Sequence, residues 1–283
     1  MTIIVTGCAG FIGLNFTKYH LQNFPGDRLV GIDSLSYAAN VDDIKRLSEN
    51  EKNFVFYRAD ICNRDAVFSI FEKEKPDCVI NFAAETHVDR SIECATPFVM
   101  SNVVGAGVLL DACLSFGGIR FHQISTDEVY GDLPLDSKKS FYETSILNPS
   151  SPYSASKAAA DLLTLSYLKT HSLPVTISRC SNNFGFYQNE EKMIPHSVLS
   201  LINGEKIKIY GDGTNVRDWI YVLDHVKAIE AIIERGRIGE IYNVGAGVEI
   251  SNITLVKEIL SAYYEREITD EEFERKIDEI TDN

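Results

Sequence analysis

The sequence lacks the features that mark several large classes of protein. Its 283 residues include six cysteines with no Cys-x-x-Cys spacing and six scattered histidines. No signal peptide precedes the first predicted strand, and no stretch reads as long and apolar enough to span a bilayer. We therefore expect free thiols in a reducing cytoplasm, no metal site and no membrane partner.

Positive charge is also scarce. Lys and Arg number 27 against 41 Asp and Glu, which leaves a net charge of −14 at pH 7. Because such a surface repels polyanions, we predict that neither nucleic acid nor an anionic membrane is a partner. Apolar residues make up 45% of the chain, which is enough for a full core in a body larger than a typical single domain.

Strand and helix patterns alternate along the first 180 residues. Predicted strands lie at 2–6, 28–32, 53–57, 77–82, 119–125 and 174–179. Predicted helices lie at 11–23, 41–49, 64–74, 96–115 and 152–171. This alternation predicts an α/β fold, with a doubly wound parallel Rossmann sheet in an NAD-binding domain at 1–180.

Residues 181–283 are predicted to form a smaller mixed α/β substrate-binding part that is interleaved with the sheet. Residues 182–189 read as a loop. Helices are predicted at 193–203, 224–235 and 254–266, and strands at 207–210, 217–222 and 241–244. We expect the last dozen residues, which are charged and poorly amphipathic, to be exposed or frayed.

A dinucleotide signal follows the first predicted strand. Gly7, Gly10 and Gly13 have the spacing Gly-x-x-Gly-x-x-Gly, and Phe11 and Ile12 open the helix that comes next. Glycines at these positions let the backbone approach a pyrophosphate, and the helix N-terminus offers unpaired N–H groups. Because a strand precedes the loop and a helix follows it, the pattern predicts a dinucleotide site.

Carboxylates end the next two predicted strands. Asp33 lies twenty residues past Gly13, where it would accept hydrogen bonds from ribose hydroxyls and repel a 2′-phosphate, so NAD is favoured over NADP. The alternative is that Asp33 only starts a turn before Ser34. Asp60 and Ile61 are placed beside the adenine, although Asp60 could instead be a helix N-cap.

Two short strings contain the groups needed for proton transfer. Tyr153 and Lys157 project from one face of a predicted helix, and this pair suits removal of a proton from an alcohol while a nicotinamide takes the hydride. Thr126, Asp127 and Glu128 follow a strand and add a hydroxyl, an acid and a base, which indicates that water is eliminated as well. The alternatives are a turn at Asp127-Glu128, a core aromatic at Tyr153 and a solvated charge at Lys157.

The chain resembles the extended short-chain dehydrogenase/reductases, and within them the dTDP-glucose 4,6-dehydratase family. The matching strings are 6–13, 83–91, 125–131, 153–157, 179–185, 191–195, 211–213 and 217–219. Thr126-Asp127-Glu128 is the most specific string, because related epimerases and decarboxylases have small or hydroxyl residues in the place of Asp127.

The resemblance implies a three-step dehydration of a nucleotide hexose, dTDP-glucose above all. Tyr153 would take the C4 hydroxyl proton while NAD takes the hydride, with Thr126 holding the C4 oxygen. Glu128 would then remove the C5 proton, and protonated Asp127 would release the C6 hydroxyl as water. Hydride would finally return to C6.

The resemblance also implies the remaining contacts. Residues at the cofactor would include, besides those above, Ser34, Ser36, Ala83, Ala84, Ser101 and Asn183. The substrate would contact Thr86, Thr126, Asn182, Lys192, Arg217 and Asn252. Arg217 could instead pair with Asp218 at the surface, and Asn252 is equally a helix N-cap candidate.

Two further expectations come from the family. Its members carry an Arg-Pro-Gly-His-Asp string beyond the point where this chain ends, at Asn283, so we expect a weaker hold on the diphosphate here. The small residues Ala155, Ala158, Ala159 and Ala160 suit close helix packing, and the family's equivalent helix implies a homodimer through a four-helix bundle.

Two other functions stay open at this stage. A nucleotide-sugar 4-epimerase or decarboxylase would share the fold, Tyr153 and Lys157, but it has no use for Asp127-Glu128. A sensor or scaffold of another class could bind NAD without turnover.

Overall fold

A parallel sheet forms the centre of the computed structural model, which describes residues 1–134, 137, 139–209 and 211–282. Its strands are β1 (Thr2–Thr6), β2 (Arg28–Asp33), β3 (Phe54–Arg58), β4 (Cys78–Asn81), β5 (Arg120–Thr126), β6 (Val175–Cys180) and β10 (Ile241–Val244). Their order is β10-β6-β5-β4-β1-β2-β3. The doubly wound α/β prediction is confirmed, and each strand predicted before residue 181 begins and ends within one residue of the observed one.

Helices cover both faces of this sheet. They are α1 (Phe11–Asn23), α2 (Val41–Asn50), α3 (Arg64–Glu74), α4 (Val88–Glu93), α5 (Thr96–Phe98), α6 (Ala106–Ser115), α7 (Pro152–His171) and α9 (Val222–Arg235). One core cluster packs Leu109 and Phe121 with Ile4, and the other packs Phe16 and Val226 with Ile3. Burial on both faces explains why the strands are continuous apolar runs.

The helix predicted at 96–115 is interrupted. Residues Val99–Gly105 form a π-helical segment between α5 and α6. A Cβ at Gly105 would lie 2.5 Å from Cδ1 of Ile61, so the segment packs closely against the loop after β3. Its Asn102 is buried and bonds both backbone groups of Glu85, at 2.9 and 3.0 Å. The widened segment therefore fixes the chain that follows β4.

The expectation that no stretch could span a bilayer is wrong by length and composition. Thr96–Ser115 has 20 residues, and its mean hydropathy is 1.6. A core helix of a water-soluble protein passes the same test, and 44% of this stretch is buried inside the protein, where its π-helical part and α6 pack against α7. The stretch is therefore weak evidence for a membrane.

The smaller part contains two short sheets. One has the order β11-β9-β7, with β7 (Asn182–Phe184), β9 (Val216–Tyr221) and β11 (Glu249–Ser251). The other pairs β8 (Ile207–Lys208) with β12 (Thr281–Asp282). Its helices are α8 (Met193–Asn203), α10 (Asn252–Tyr263) and α11 (Asp270–Ile280).

Several predictions for this part are corrected by the structure. Residues 182–184 form a strand rather than loop, because they pair with β9. The strand predicted at 207–210 ends at Lys208, and Tyr210 lies outside the described residues. The tail is not simply exposed or frayed, because Phe273 of α11 is buried among Ile207 and Ile268.

Candidate active site

A cavity of about 1790 Å³, counted to its open mouth, lies at the carboxyl ends of the parallel strands. This is where doubly wound sheets bind ligands. Its lining includes every residue predicted to contact the cofactor: Gly7, Gly10, Phe11, Ile12, Gly13, Asp33, Ser34, Ser36, Asp60, Ile61, Ala83, Ala84, Ser101, Tyr153, Lys157 and Asn183.

The glycine loop leaves no room for side chains. Gly7 has a φ of +66°, and a Cβ there would lie 2.6 Å from the Ala83 nitrogen. A Cβ at Gly13 would lie 2.2 Å from the Gly7 carbonyl oxygen. The α1 N-cap is Gly10, which has no side chain to cap the helix. The first amides of α1 are therefore free of a side-chain cap, as an anion site at a helix N-terminus requires.

Asp33 is held at the end of β2 by two backbone amides. Its Oδ2 accepts from Ala9 N at 3.0 Å, and its Oδ1 accepts from Leu35 N at 2.8 Å. Burial raises the pKa of Asp33, and these two bonds oppose that rise. The bond to Leu35 is a turn contact, so the turn reading and the cavity position are both correct.

Asp60 is not a helix N-cap. Its Oδ1 accepts from Cys62 N at 2.8 Å, whereas Asn63 caps α3 by accepting from Ala66 N. Asp60 therefore forms a local turn at the cavity wall, and its carboxylate is not used by the helix.

Tyr153 and Lys157 are buried on α7, so Lys157 is not a solvated charge. Lys157 Nζ donates to the Ile124 carbonyl oxygen at 2.5 Å. Burial lowers the pKa of Lys157, while the Asp161 carboxylate raises it. Burial and the Glu128 charge raise the pKa of Tyr153 well above its ordinary value, and a bond to the Thr126 hydroxyl opposes them. The surrounding protein thus favours the neutral phenol.

A 3₁₀ turn at Asp127–Tyr130 places the two acids beside Tyr153. Thr126 caps this turn, with its Oγ1 accepting from Glu128 N at 3.3 Å. Burial and the Glu128 charge raise the pKa of Asp127 to about 7. Burial also raises the pKa of Glu128, and the charges of Arg217 and Lys192 oppose that rise. The turn that the sequence offered as the alternative to a catalytic role is present, and it holds two carboxylates whose pKa values are raised.

The predicted substrate residues divide into two groups. Thr86, Thr126, Asn182 and Lys192 line the cavity, and Lys192 Nζ donates to the Thr86 carbonyl oxygen at 3.3 Å. Glu128 lines it too, and Asp127 is its neighbour in the same turn.

Arg217 and Asn252, which are predicted to contact the substrate, are not among the residues that line the cavity. Arg217 is exposed on β9, and its charge still lowers the pKa of both Asp127 and Glu128. Asp218 accepts from the Ala246 and Val248 amides instead of pairing with Arg217. Asn252 is the first residue of α10 and not its N-cap, which is Ser251.

A segment after β7, residues 185–192, closes one side of the cavity and was not predicted as a unit. Gln188, Asn189 and Glu191 join the lining, together with Glu85 and Trp219. Glu191 accepts from the Tyr37 hydroxyl at 2.9 Å and from Arg90 at 3.3 Å. The sequence predicted a loop at 182–189 and a family match at 191–195, but irregular backbone has no periodicity that marks these residues as one wall of a cavity.

Within the described part of the chain, no group of three His, Cys, Asp or Glu side chains could hold a metal ion.

Comparison with known proteins agrees with this geometry. Residues 4–282 match the family model described as GDP-mannose 4,6 dehydratase. The dTDP-glucose 4,6-dehydratase of Haemophilus influenzae is 45% identical over 268 residues, which cover 92% of this chain and 78% of that protein. The chain belongs to the dTDP-glucose 4,6-dehydratase family. A low-salt glycan biosynthesis protein of Haloferax volcanii is 48% identical over 262 residues, covering 93% of this chain and 82% of its own.

Solved structures extend the family resemblance to the fold. The dTDP-glucose 4,6-dehydratase of Streptomyces venezuelae, crystallised with NAD and TDP, has a TM-score of 0.88 and 40% identity, covering 93% of this chain and 81% of that one. The UDP-glucose 4-epimerase of Thermotoga maritima has a TM-score of 0.84 at 28% identity, covering 95% and 84%. The same fold therefore serves dehydratases and epimerases, so residues of the site must distinguish them.

Proposed function

We propose that this chain is an NAD-dependent nucleotide-sugar 4,6-dehydratase that converts dTDP-glucose to dTDP-4-keto-6-deoxyglucose. The observation that supports this most strongly is one cavity that joins a glycine loop, the Tyr153–Lys157 pair and the Asp127–Glu128 turn. A 45% identical relative of the same name supports the substrate.

The residues present fit NAD. A Cβ at Gly7 or Gly13 would collide with neighbouring backbone, so only glycine permits this loop beside the cavity, and Asp33 is anchored where a ribose diol would meet it. When bound, NAD accepts a hydride and later returns it, and its oxidised ring adds a positive charge. Because Asp33 would repel a 2′-phosphate, NAD is favoured over NADP.

In the first step, Tyr153 takes the proton of the C4 hydroxyl as C4 loses its hydride. The phenol must ionise, although burial and Glu128 disfavour this. The Lys157 ammonium supplies the opposing charge, and the Thr126 hydroxyl holds the C4 oxygen.

In the second step, the C4 ketone acidifies the C5 proton, which Glu128 removes. Asp127 gives its proton to the C6 hydroxyl, so that water departs and a C5–C6 double bond forms. Burial, together with the neighbouring Glu128 charge, raises the pKa of Asp127 to about 7 and so keeps a protonated acid available near neutrality. In the last step, Glu128 would return the proton to C5, and bound NAD would supply the hydride that C6 receives.

Substrate contacts are proposed for Thr86, Asn182 and Lys192 on the cavity wall, with Arg217 acting on the diphosphate from outside it. We propose that the chain is divided into a cofactor domain at 1–180 and a substrate part at 181–283, although β10 and α9 pack with the main sheet. Asn252 is not proposed as a substrate contact, because it is not among the residues that line the cavity.

We also propose a cytoplasmic homodimer. Apolar side chains are exposed on α4, on the π-helical segment and on α7, with Ile92 at 67%, Met100 at 45% and Leu162 at 59%. A four-helix bundle formed with a second copy would cover them. Light scattering should give the mass of two chains, and Leu162→Glu should shift it towards one.

Mass spectrometry of products from a panel of nucleotide hexoses tests the function. A product lighter than dTDP-glucose by one water supports dehydration. An isomer of unchanged mass would instead indicate the 4-epimerase, and loss of carbon dioxide from a uronic acid would indicate a decarboxylase. If the protein binds NAD but forms no product from any hexose, a non-catalytic sensor or scaffold would be the remaining function.

A further inference from the structure

A phenol, an ammonium group and a carboxylate lie one after another along one face of α7. Tyr153, Lys157 and Asp161 follow each other at four-residue spacing, so they stack along the helix. Asp161 is 0% exposed, and its Oδ2 accepts from Arg179 Nε on β6 at 2.9 Å. Arg179 is buried too and donates to the Tyr130 hydroxyl at 2.9 Å.

Lys157 has little else to balance its charge. Its Nζ donates a hydrogen bond to a neutral carbonyl, that of Ile124. A buried ammonium with only neutral partners loses its proton readily. The groups that face this stretch from the packed elements are Asp127 and Glu128 of the turn after β5, and Arg179 and Cys180 of β6.

Among those groups, Asp161 is the carboxylate that acts on Lys157. Its charge is the largest influence that opposes the effect of burial on the Lys157 pKa. Cys180 is the other group that acts, and burial raises its thiol pKa to about 12, so it is neutral at working pH. Asp127 and Glu128 act on Tyr153 instead.

Asp161 in turn depends on Arg179. Burial raises the pKa of Asp161, and the adjacent guanidinium is the largest opposing influence. Tyr130 orients that guanidinium and is itself fixed by Asn243 of β10, to which its hydroxyl donates at 2.7 Å. A series of hydrogen bonds therefore runs from the sheet edge at Asn243 to Asp161 in the middle of α7.

We propose that Asp161, fixed by Arg179, is a positioning residue that holds Lys157 as an ammonium ion next to Tyr153. This inference rests on the proposed function, because it explains how Tyr153 can ionise in a site that favours the phenol. An ion pair between α7 and β6 is not needed for packing, since apolar pairs of similar volume often fill such places as well or better.

The decisive variant removes both charges and leaves hydrogen bonding in place: Asp161→Asn with Arg179→Gln. Interior net charge is then unchanged, so distant groups feel little difference, but Lys157 loses its carboxylate. The rate of hydride transfer should rise with pH, and we expect the midpoint of this rise to move up by about one pH unit in the variant. The rate at neutral pH should therefore fall about ten-fold. The KM for dTDP-glucose should stay close to that of the parent.

Three comparisons separate positioning from folding. Asp161→Glu keeps the charge and should restore the parent pH profile. Glu230→Gln removes another buried carboxylate, which contacts His20 far from the cavity, and should leave the profile unchanged. Asp161→Leu with Arg179→Met replaces the pair by apolar side chains. This variant tests the same prediction if Asp161→Asn with Arg179→Gln does not fold. A folded variant with no carboxylate at position 161 that keeps the parent midpoint overturns the proposal.

A second readout does not require turnover. The ionisation of Tyr153 can be followed by phenolate absorbance with NAD bound, as the difference between each protein and its Tyr153→Phe form. Loss of Asp161 should move this ionisation to higher pH. If dTDP-glucose yields no dehydrated product with the parent, the proposed function fails, and this titration still decides the role of Asp161: an unchanged midpoint refutes it.

Discussion

The two halves of the cavity are built from different materials. The cofactor half consists of backbone and small side chains, packed so closely that a Cβ at Gly13 would lie 2.2 Å from a carbonyl oxygen. The substrate half consists of ionisable side chains, Asp127, Glu128 and Lys192, whose pKa values are all shifted by burial. The first half is therefore sensitive to added volume, and the second to lost or moved charge.

The largest effect is expected from Tyr153→Phe in the substrate half. Removal of one hydroxyl deletes the proton acceptor, so NADH formation with dTDP-glucose should fall by about 10²–10⁴. NAD affinity should change little. Stopped-flow absorbance of NADH measures the rate, and Tyr167→Phe on the same helix, whose hydroxyl bonds Asp111, is the matched control. A variant that forms NADH at the parent rate would refute the assignment.

Glu128→Gln should separate elimination from oxidation. NADH should still form, while exchange of the C5 proton with deuterated solvent should fall by about 10² or more, since the base is gone. Nuclear magnetic resonance of the sugar measures this exchange. Glu85→Gln removes another half-buried carboxylate of the cavity and should exchange normally. Parent-like exchange in Glu128→Gln would mean that another group is the base.

Gly13→Ala tests the cofactor half by volume alone. The added methyl must displace the Gly7 carbonyl, and overpacking of this kind costs about 1–3 kcal/mol, or roughly ten- to a hundred-fold in NAD affinity. Calorimetry measures it. Gly26→Ala is the control, because nothing lies within 4 Å of its added Cβ. Equal NAD affinity in the two variants would show that the loop is not the dinucleotide cradle.

Asp33→Asn tests the same half by charge. A charged hydrogen bond is worth about 1.5–3 kcal/mol, so NAD affinity should fall by about ten-fold and the preference over NADP should shrink. Asp60→Asn, at the adenine side of the cavity, should change the preference far less. Comparable NAD and NADP affinities in the parent protein would already remove Asp33 from this role.

The smallest effect concerns pH. Asp127 must be protonated to act as an acid, and its pKa is raised to about 7, so elimination should decline as pH rises through that value. At about pH 8, roughly a tenth of Asp127 remains protonated. The rate of C5–C6 elimination should be measured across this pH range in both proteins. Asp127→Asn should eliminate more slowly at every pH, and its rate should show no such decline. A parent profile that is flat between about pH 6 and 8 would contradict the assignment.

Sequence reasoning succeeded where local pattern reflects local structure. Asp33 and Thr126 were placed at strand ends because buried parallel strands are continuous apolar runs with clear ends. It failed where contacts join distant segments. β7 has three residues and exists because it pairs with β9, and Asn102 bonds a backbone 17 residues away. Asn252 and Ser251 are adjacent polar residues, and only the end of β11 decides which one caps α10.

The position of β10 has a consequence for how the protein is made. Ile241–Val244 pairs with Ile177–Cys180, so this edge of the main sheet cannot form until the sixty residues between the two strands have been synthesised. Parallel pairings between distant segments fold slowly, because loop closure precedes any gain from contact. Until β10 docks, β6 presents an unpaired edge to other chains. Refolding at high concentration should therefore favour aggregation through β6, and amides of β6 should gain protection from hydrogen exchange late.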